Sequence, residues 1–409
     1  MNTQLTLFED VAATHFLPLT WTRPVYELRS GIFTLGEKLV RSYGCPLAAL
    51  FCRPHLAPAL AERTGLPVNH SLDGPVLLLN GRLVATPALR RLVPPEGPPA
   101  LFVTAAGEVA AARLTGAVPD AILAGDWPAL PREELPLELW QWPWELIHHN
   151  AAELAADAPH FSLGVVAGQV HPGAHLIAPE NIYIAPGARI APGVVLDASD
   201  GPIVIGAETM VMPNAVLIGP LAVGAGSRIK VAARLYEGTT VGPVCKVGGE
   251  VEATIFQAYS NKAHDGFVGH SLIGAWCNFG ADTNTSDLKN NYSSVRIWTA
   301  RGLVDSGQLL LGTLMGDHAK TGINTTLNTG TVVGVAANLF GAGLIPKLVP
   351  SFSWGSAERL VEYRFDRALV TAQRVMARRG LSLSPVEAEL LQAVFDATGA
   401  ERREAKIDP

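Results

Sequence analysis

The stretch SNKAHDGFVGHSLIGAWCNFGADTNTSDLKNNY, from Ser260 to Tyr292, gathers the groups best able to do chemistry in this chain. It carries two imidazoles, His264 and His270, the side-chain type best suited to take up a proton at ordinary pH. Ammonium, carboxylate and amide groups stand between them and supply charge and hydrogen bonds. Apolar residues nevertheless recur through the same stretch at Phe267, Ile273 and Phe279. A solvated loop has no need of that rhythm, and a core strand would not hold so many polar groups.

The rhythm belongs to a longer one. A bulky apolar residue returns every six positions at Ile205, Val211, Leu217, Val223, Ile229, Leu235, Val241 and Val247. Ile184, Ile190 and Leu196 keep the spacing earlier, and Leu309, Met315, Thr321, Leu327, Val333, Leu339 and Ile345 keep it later. Small residues such as Thr209, Ala215, Ser227 and Ala233 follow four places after an anchor. Period six fits neither a helix nor an alternating strand; it fits a coil of three short flat sides with the anchor pointing inward. The phase continues through Ile255, Asn261, Phe267, Ile273, Phe279 and Thr285, so the polar stretch is expected to be solenoid wall. His264 then falls at a corner, and Asp282 is expected one coil, ~5 Å, above it. The pattern lapses between Asn290 and Leu309, where a loop is expected to project.

The flanks read differently. Residues 1–145 carry short apolar runs, Val76 to Leu79 and Leu101 to Val103, between turn signals, as an α/β domain would. Residues 146–164 form a linker, with a helix expected from Pro143 to Asp157. The repeat fills 165–350, and a helical extension follows over 351–409. There one amphipathic helix stops at Gly380, and a second begins with Ser384 as N-cap, Pro385 at its first position and Glu387 closing a capping box. The final ERREAKIDP is expected to fray. A net charge of -6 gives no reason to expect a nucleic-acid surface, so no nucleic-acid partner is expected. No run of 18 apolar residues and no signal-peptide pattern is present, so no membrane partner and a cytoplasmic location are expected. Cys45, Cys52, Cys245 and Cys277 show neither metal spacing nor a disulfide framework.

The fixed period resembles the hexapeptide repeat of left-handed parallel β-helix acyltransferases, and the handedness expected here comes from that resemblance. KAHDGFVGHSLIGAWCNFGADT more specifically resembles the acetyltransferase half of the bifunctional N-acetylglucosamine-1-phosphate uridyltransferase/glucosamine-1-phosphate N-acetyltransferase family. It matches through Asn261, Lys262, His264, Phe267, Gly269, Ile273, Asn278, Phe279, Gly280, Ala281 and Thr283. The resemblance implies acetyl transfer from acetyl-CoA to the 2-amino group of a hexosamine 1-phosphate. It makes His264 the candidate base, oriented by Asp282, and Asn278 a candidate oxyanion donor. Lys230 and Lys246 would meet the phosphate, Asn284, Lys289 and Asn290 the sugar, and Lys262 and Phe267 would also contact the substrate. His270 and His318 are competing bases. Acetyl-CoA would lie along the late coils, approaching backbone at Gly322 and Gly341. Phe267 stands where the family has a tyrosine, so one substrate hydrogen bond is missing. A homotrimer is expected, because relatives place the site between neighbouring prisms.

In that family the N-terminal half is a nucleotidyltransferase using Mg2+ and a Gly-rich loop. Here FLPLTWTRPVYELRSGIFTLGEKL resembles a divergent branch of such enzymes and lacks that loop. Arg23, Arg29 and Lys38 are candidate triphosphate contacts. Asn80 and Arg82 stand where ordinary relatives carry a metal-binding aspartate. The expected architecture is thus an α/β nucleotidyltransferase-like N-terminal domain, a left-handed parallel β-helix and C-terminal α-helices. The substrates would be a sugar 1-phosphate with a nucleoside triphosphate such as UTP or dTTP, or a sugar nucleotide, with Mg2+ if nucleotidyl transfer is intact. Two rivals remain. One is a nucleotidyltransferase whose β-helix only assembles or regulates; the other is a non-catalytic scaffold that binds a sugar nucleotide.

Overall fold

A computed structural model describes residues 3–407, apart from 117 and 119. The terminal residues 1–2 and 408–409 of the expected first and last segments lie outside the described residues. The chain divides into two compact units. The first comprises Met1–Arg29, Phe33–Trp142 and Ser384–Ala393. Its sheet contains β1 (Gln4–Phe8), β2 (Leu47–Phe51), β3 (Pro75–Asn80), β4 (Ala100–Val103), β5 (Val109–Thr115) and β6 (Arg132–Glu134), in the order β2-β1-β3-β5-β4-β6. β1 runs parallel to β2 and β3, whereas β5 is antiparallel to β3 and β4. The two apolar runs seen in the sequence are β3 and β4, and Val76, Leu78, Leu101 and Val103 pack with Phe8 and Phe51.

The second unit holds the prism, a parallel β-solenoid of about ten turns. Its strands are two to four residues long, and nine of them stack along one side from Ile182–Ile184 to Leu348–Val349. All eight anchors from Ile205 to Val247 point inward at 0–2% exposure and form one continuous core. Burying such a column of aliphatic side chains is what closes the coil. Coil length varies. Ile184 pairs with Ile205, 21 residues on, Val223 with Val241, 18 on, and Val241 with Phe256, only 15 on.

That short coil displaces the expected phase between residues 251 and 268, after which it resumes at Ile273 and Phe279. The inward places fall to Val251, Phe256, Val268, Ile273 and Phe279. Asn261 and Phe267 are only half-buried, and Lys262 takes the inward turn instead. Leu309 also misses the core, at 47% exposure. The projecting loop contains a β-hairpin, Arg296–Thr299 against Gly302–Asp305.

The linker is two helices, Pro143–His148 and Asn150–Asp157, rather than the single helix expected, with a turn at His149. Asn150 pins this break to the prism. Its Nδ2 donates to the Gly238 carbonyl at 2.7 Å and to Thr240 Oγ1 at 3.0 Å. At the C-terminus a helix runs Phe365–Ala377, and another, Pro385–Ala397, has the expected reciprocal bonds between Ser384 and Glu387. The tail does not fray as expected. Gly399–Glu404 is helical, and Arg402, 4% exposed, donates to Glu362 and lies over the Phe395 ring.

Candidate active site

One side of the prism carries the outward ladder Arg234, Glu250 and Phe267, in register on successive coils. Arg234 and Glu250 pair at 3.3 Å while staying largely exposed, so the pair holds a surface rather than a fold. Asn284 continues the ladder, accepting from the Phe267 N–H at 2.8 Å and donating to the Asp282 carbonyl at 2.9 Å. Arg234, Glu250, Phe267, Asp282, Asn284, Asn324 and Thr326 line a cleft of about 440 Å³. Arg234 and Glu250 escaped the sequence reading. The sign that could have found them is their outward phase, one place before the anchors Leu235 and Val251.

The expected pairing of His264 with Asp282 does not form. The coil between them has 17 residues, so the Asp282 N–H donates to the Asp265 carbonyl at 3.0 Å and Asp282 stacks on Asp265. His264 is exposed at the corner, and among the described residues its ring has no hydrogen-bond partner. The corner itself explains why aspartate is tolerated at 282, since short polar side chains adopt its φ of 56° more readily than most.

Lys262 points into the prism at 1% exposure, which removes it from the substrate contacts. Its Nζ donates to the carbonyls of Gly248 and His264 at 2.9 and 2.8 Å. Burial pulls its pKa down to about 8. An unfolded lysine keeps its proton to about 10.4. Between these values the unfolded chain binds more protons, so this group makes stability rise with pH. Relative to Lys262→Met, the native protein is expected to gain stability in denaturant titrations from pH 8 toward 10, with little or no deficit of the variant at pH 7. Parallel profiles for the two proteins would refute the desolvated lysine.

Lys230 and Lys246 sit in a different environment. Lys246 stacks on Arg228 in the ladder, and burial together with the charges of Arg379, Arg228, Arg378 and Lys230 lowers its pKa. Arg379 also donates to Asn261 Oδ1 at 2.7 Å. This is a concentration of cations of the kind a phosphate would neutralise. Asn278 bridges the same side between Asn261 and Lys320. Lys289 instead binds Ser293 and Ser294 within the projecting loop, and Asn290 is exposed there. Gly322 is half-buried, and a Cβ on it would meet Phe340 at 3.0 Å. Gly341 is exposed at a φ of 88°.

In the first unit Arg82 is fully buried and spends its guanidinium on protein groups. It donates to Asp10 at 3.0 and 2.6 Å, to Glu108 at 3.0 Å and to the Trp140 carbonyl at 2.9 Å. Asn80, also buried, donates to Asp10 and to the Val109 carbonyl. Both are therefore struck from the nucleotide contacts. Lys38 is buried on the helix Leu35–Tyr43, and Arg23 and Arg29 are half-buried. A cleft of about 340 Å³ is lined by Leu7, Tyr26, Glu27, Leu50, Leu66 and neighbours, and none of the five candidates lines it.

A divalent cation, which the nucleotidyltransferase resemblance implies, does not fit here. Mg2+ needs carboxylate oxygens, and those of Asp10 and Glu108 already hold a resident guanidinium. Among the described residues no group of three or more His, Cys, Asp or Glu could hold a metal ion.

Comparison with known proteins follows this division. Residues 5–165 match the family described as sugar nucleotidyl transferase. The chain is 25% identical over 175 residues to an uncharacterized acetyltransferase, YaiX, of Escherichia coli O6:K15:H31, covering 42% of this chain and 76% of that protein. It is 26% identical over 194 residues to the bifunctional protein GlmU of Synechococcus sp. CC9311, covering 46% of this chain and 38% of that one. It is 37% identical over 100 residues to the bifunctional protein GlmU of Methanocaldococcus jannaschii, covering 24% and 23%. The chain thus spans well under half the length of these bifunctional relatives. A Francisella novicida UDP-N-acetylglucosamine acyltransferase structure matches with a TM-score of 0.30 at 14% identity, covering 58% of this chain and 87% of that one.

Proposed function

We propose that this chain, a divergent relative of the bifunctional GlmU proteins, is a transferase of sugar-nucleotide biosynthesis. On its β-helix it moves an acetyl group from acetyl-CoA to the 2-amino group of a hexosamine 1-phosphate. The observation that carries this reading is the cleft around Phe267, Asp282 and Asn284, formed by the segment whose residues resemble an acetyltransferase site. Asn284 and Asp282 offer an amide and a carboxylate to sugar hydroxyls. Asn278 is available as a donor to the developing oxyanion, and the cations around Lys230 and Lys246 suit the phosphate. The proton lost by the attacking amine goes to an imidazole of this segment, which carries two, His264 and His270. A homotrimer and a cytoplasmic setting accord with this reading, and among the described residues no helix is long and apolar enough to cross a membrane.

The first unit supports a narrower role. With Asp10 and Glu108 paired to Arg82, it binds a sugar nucleotide without transferring a nucleotidyl group through a metal ion.

Incubating the full chain with acetyl-CoA and glucosamine 1-phosphate is expected to release free thiol in step with acetylated sugar phosphate. Absence of thiol release at millimolar substrate would end the acetyl-transfer reading. Pyrophosphate release from UTP or dTTP with a sugar 1-phosphate, with Mg2+ present, would instead restore the nucleotidyltransferase.

A further inference from the structure

His270 stands at a prism corner with a φ of 43°. Its backbone carbonyl accepts the Gly312 N–H at 2.9 Å, and its Nδ1 lies 2.8 Å from Asp287 Oδ2. The two side chains are 11% and 14% exposed. A carboxylate only accepts hydrogen bonds, so Nδ1 carries the proton and Nε2 is left with its lone pair. Among the described residues nothing bonds Nε2, and it is not among the polar atoms sealed from solvent.

The pair does not line the cleft itself but stands beside Phe267, which does. A Cβ on Gly269 would come within 2.3 Å of Asp287 Oδ2 and 2.5 Å of the Phe267 ring. Glycine at 269 therefore lets an aromatic ring and a carboxylate close over one bare patch of backbone. A second imidazole, His148 on the linker helix, lies 6.0 Å from His270 between ring centroids. Burial, then the charge of His270, lowers the pKa of His148, so it tends to stay neutral beside an imidazolium. His149, in the turn that follows, adds its charge to the groups acting on His148. Glu252 faces His270 from the coil below, its carboxyl raised by burial, with Glu237 and Glu250 near it.

We propose that His270, positioned by Asp287, is the catalytic base of this face, taking the proton from the amine that accepts the acetyl group. The proposal rests on the acetyl-transfer reading above. The amine nitrogen forms a bond to the thioester carbonyl carbon, and the carbon–sulfur bond breaks. The proton leaving nitrogen passes to His270 Nε2 and then to the departing thiolate, which restores the neutral ring. Asp287 keeps the productive tautomer and favours the imidazolium that forms in between. His264 has no such carboxylate, because Asp282 stacks on Asp265.

The test is thiol release from acetyl-CoA with glucosamine 1-phosphate between pH 5.5 and 9. It compares the native protein with His270→Gln, Asp287→Asn and His264→Ala, each first shown to be folded by circular dichroism. His270→Gln is expected to lower kcat/KM by about 10²–10⁴-fold. Asp287→Asn is expected to move the acid limb of the pH profile down by about one unit or more, since the ring loses an anion at contact distance. That limb shift, read on a near-isosteric variant, decides the matter even if His270→Gln fails to fold. Native-like activity within threefold in His270→Gln, or an unmoved limb in Asp287→Asn, overturns the dyad. A loss confined to His264→Ala does the same while leaving acetyl transfer standing. No thiol release from the native protein removes the acetyl-transfer reading and this proposal together.

Discussion

Arg82→Leu is expected to destabilise the first unit by about 3–5 kcal/mol at pH 7, because removing one member of a buried ion pair strands the other. Arg82 is 0% exposed and Asp10 only 19%, so little water can replace the lost guanidinium. Burial alone would raise the Asp10 pKa, but the hydrogen bonds and charge of Arg82, with Asn80 and the Ala12 N–H, bring it below its ordinary value. In the native protein this carboxylate therefore contributes stability above about pH 4, lost as the pH falls through its folded value. In Arg82→Leu burial acts unopposed and the folded pKa rises. The deficit should then be largest at neutral pH and shrink toward pH 5, where the folded carboxyl can take a proton. Urea titrations at both pH values check the sign. A deficit below about 1 kcal/mol at pH 7 would show that the pair is not buried as described. Adding Asp10→Asn to Arg82→Leu should recover part of the loss, which a double-mutant cycle would read as coupling.

Gly242→Ala is expected to cost several kcal/mol, more than most overpacking substitutions, while Gly226→Ala costs only about 1–2. The two glycines lie in the same corner of successive coils but need glycine for different reasons. Gly226 has a φ of 68° and its nearest neighbour would be 3.7 Å from a new Cβ, so only backbone strain is added. At Gly242 a Cβ would come within 1.9 Å of the Gln257 carbonyl oxygen and 2.5 Å of that of Phe256. Those atoms are the backbone of the next coil and cannot move without breaking the Gly242 N–H bond to the Phe256 carbonyl at 2.9 Å. Calorimetry of the two variants distinguishes the causes. Equal losses would mean that the coils slide apart more readily than their ladder bonds suggest.

The same ladder shows why parts of this protein could be read and others not. Eight aliphatic residues at one spacing require a common inward side, so Ile205 through Val247 could be placed without coordinates. The capping box at Ser384 and Glu387 is equally local, since both bonds close within three residues. The projecting loop showed itself as a gap in the rhythm. Between Val247 and Ile273 the rhythm misled, because Ile255 and Phe256 are adjacent apolar residues and only the 15-residue coil chooses Phe256 as the partner of Val241. Lys262 then turns inward, a placement its composition argues against and two backbone carbonyls make tolerable.

The candidate site follows the same division. Sequence alone determined the repeating column, its corners, and the segment from Lys262 to Asn284 as the place where polar groups collect. It also determined that an imidazole there could serve as a base. Only the tertiary structure decided which imidazole meets which carboxylate. Partners on a solenoid surface are separated by one coil, and one residue more or less in a corner passes Asp282 from His264 to Asp265. Likewise only folding brings Arg82 to Asp10, a partner 72 positions away. Stacking distances are summed over every residue in a turn, whereas an inward-facing anchor depends on its own hydrophobicity. That is why the column was legible and its chemistry was not.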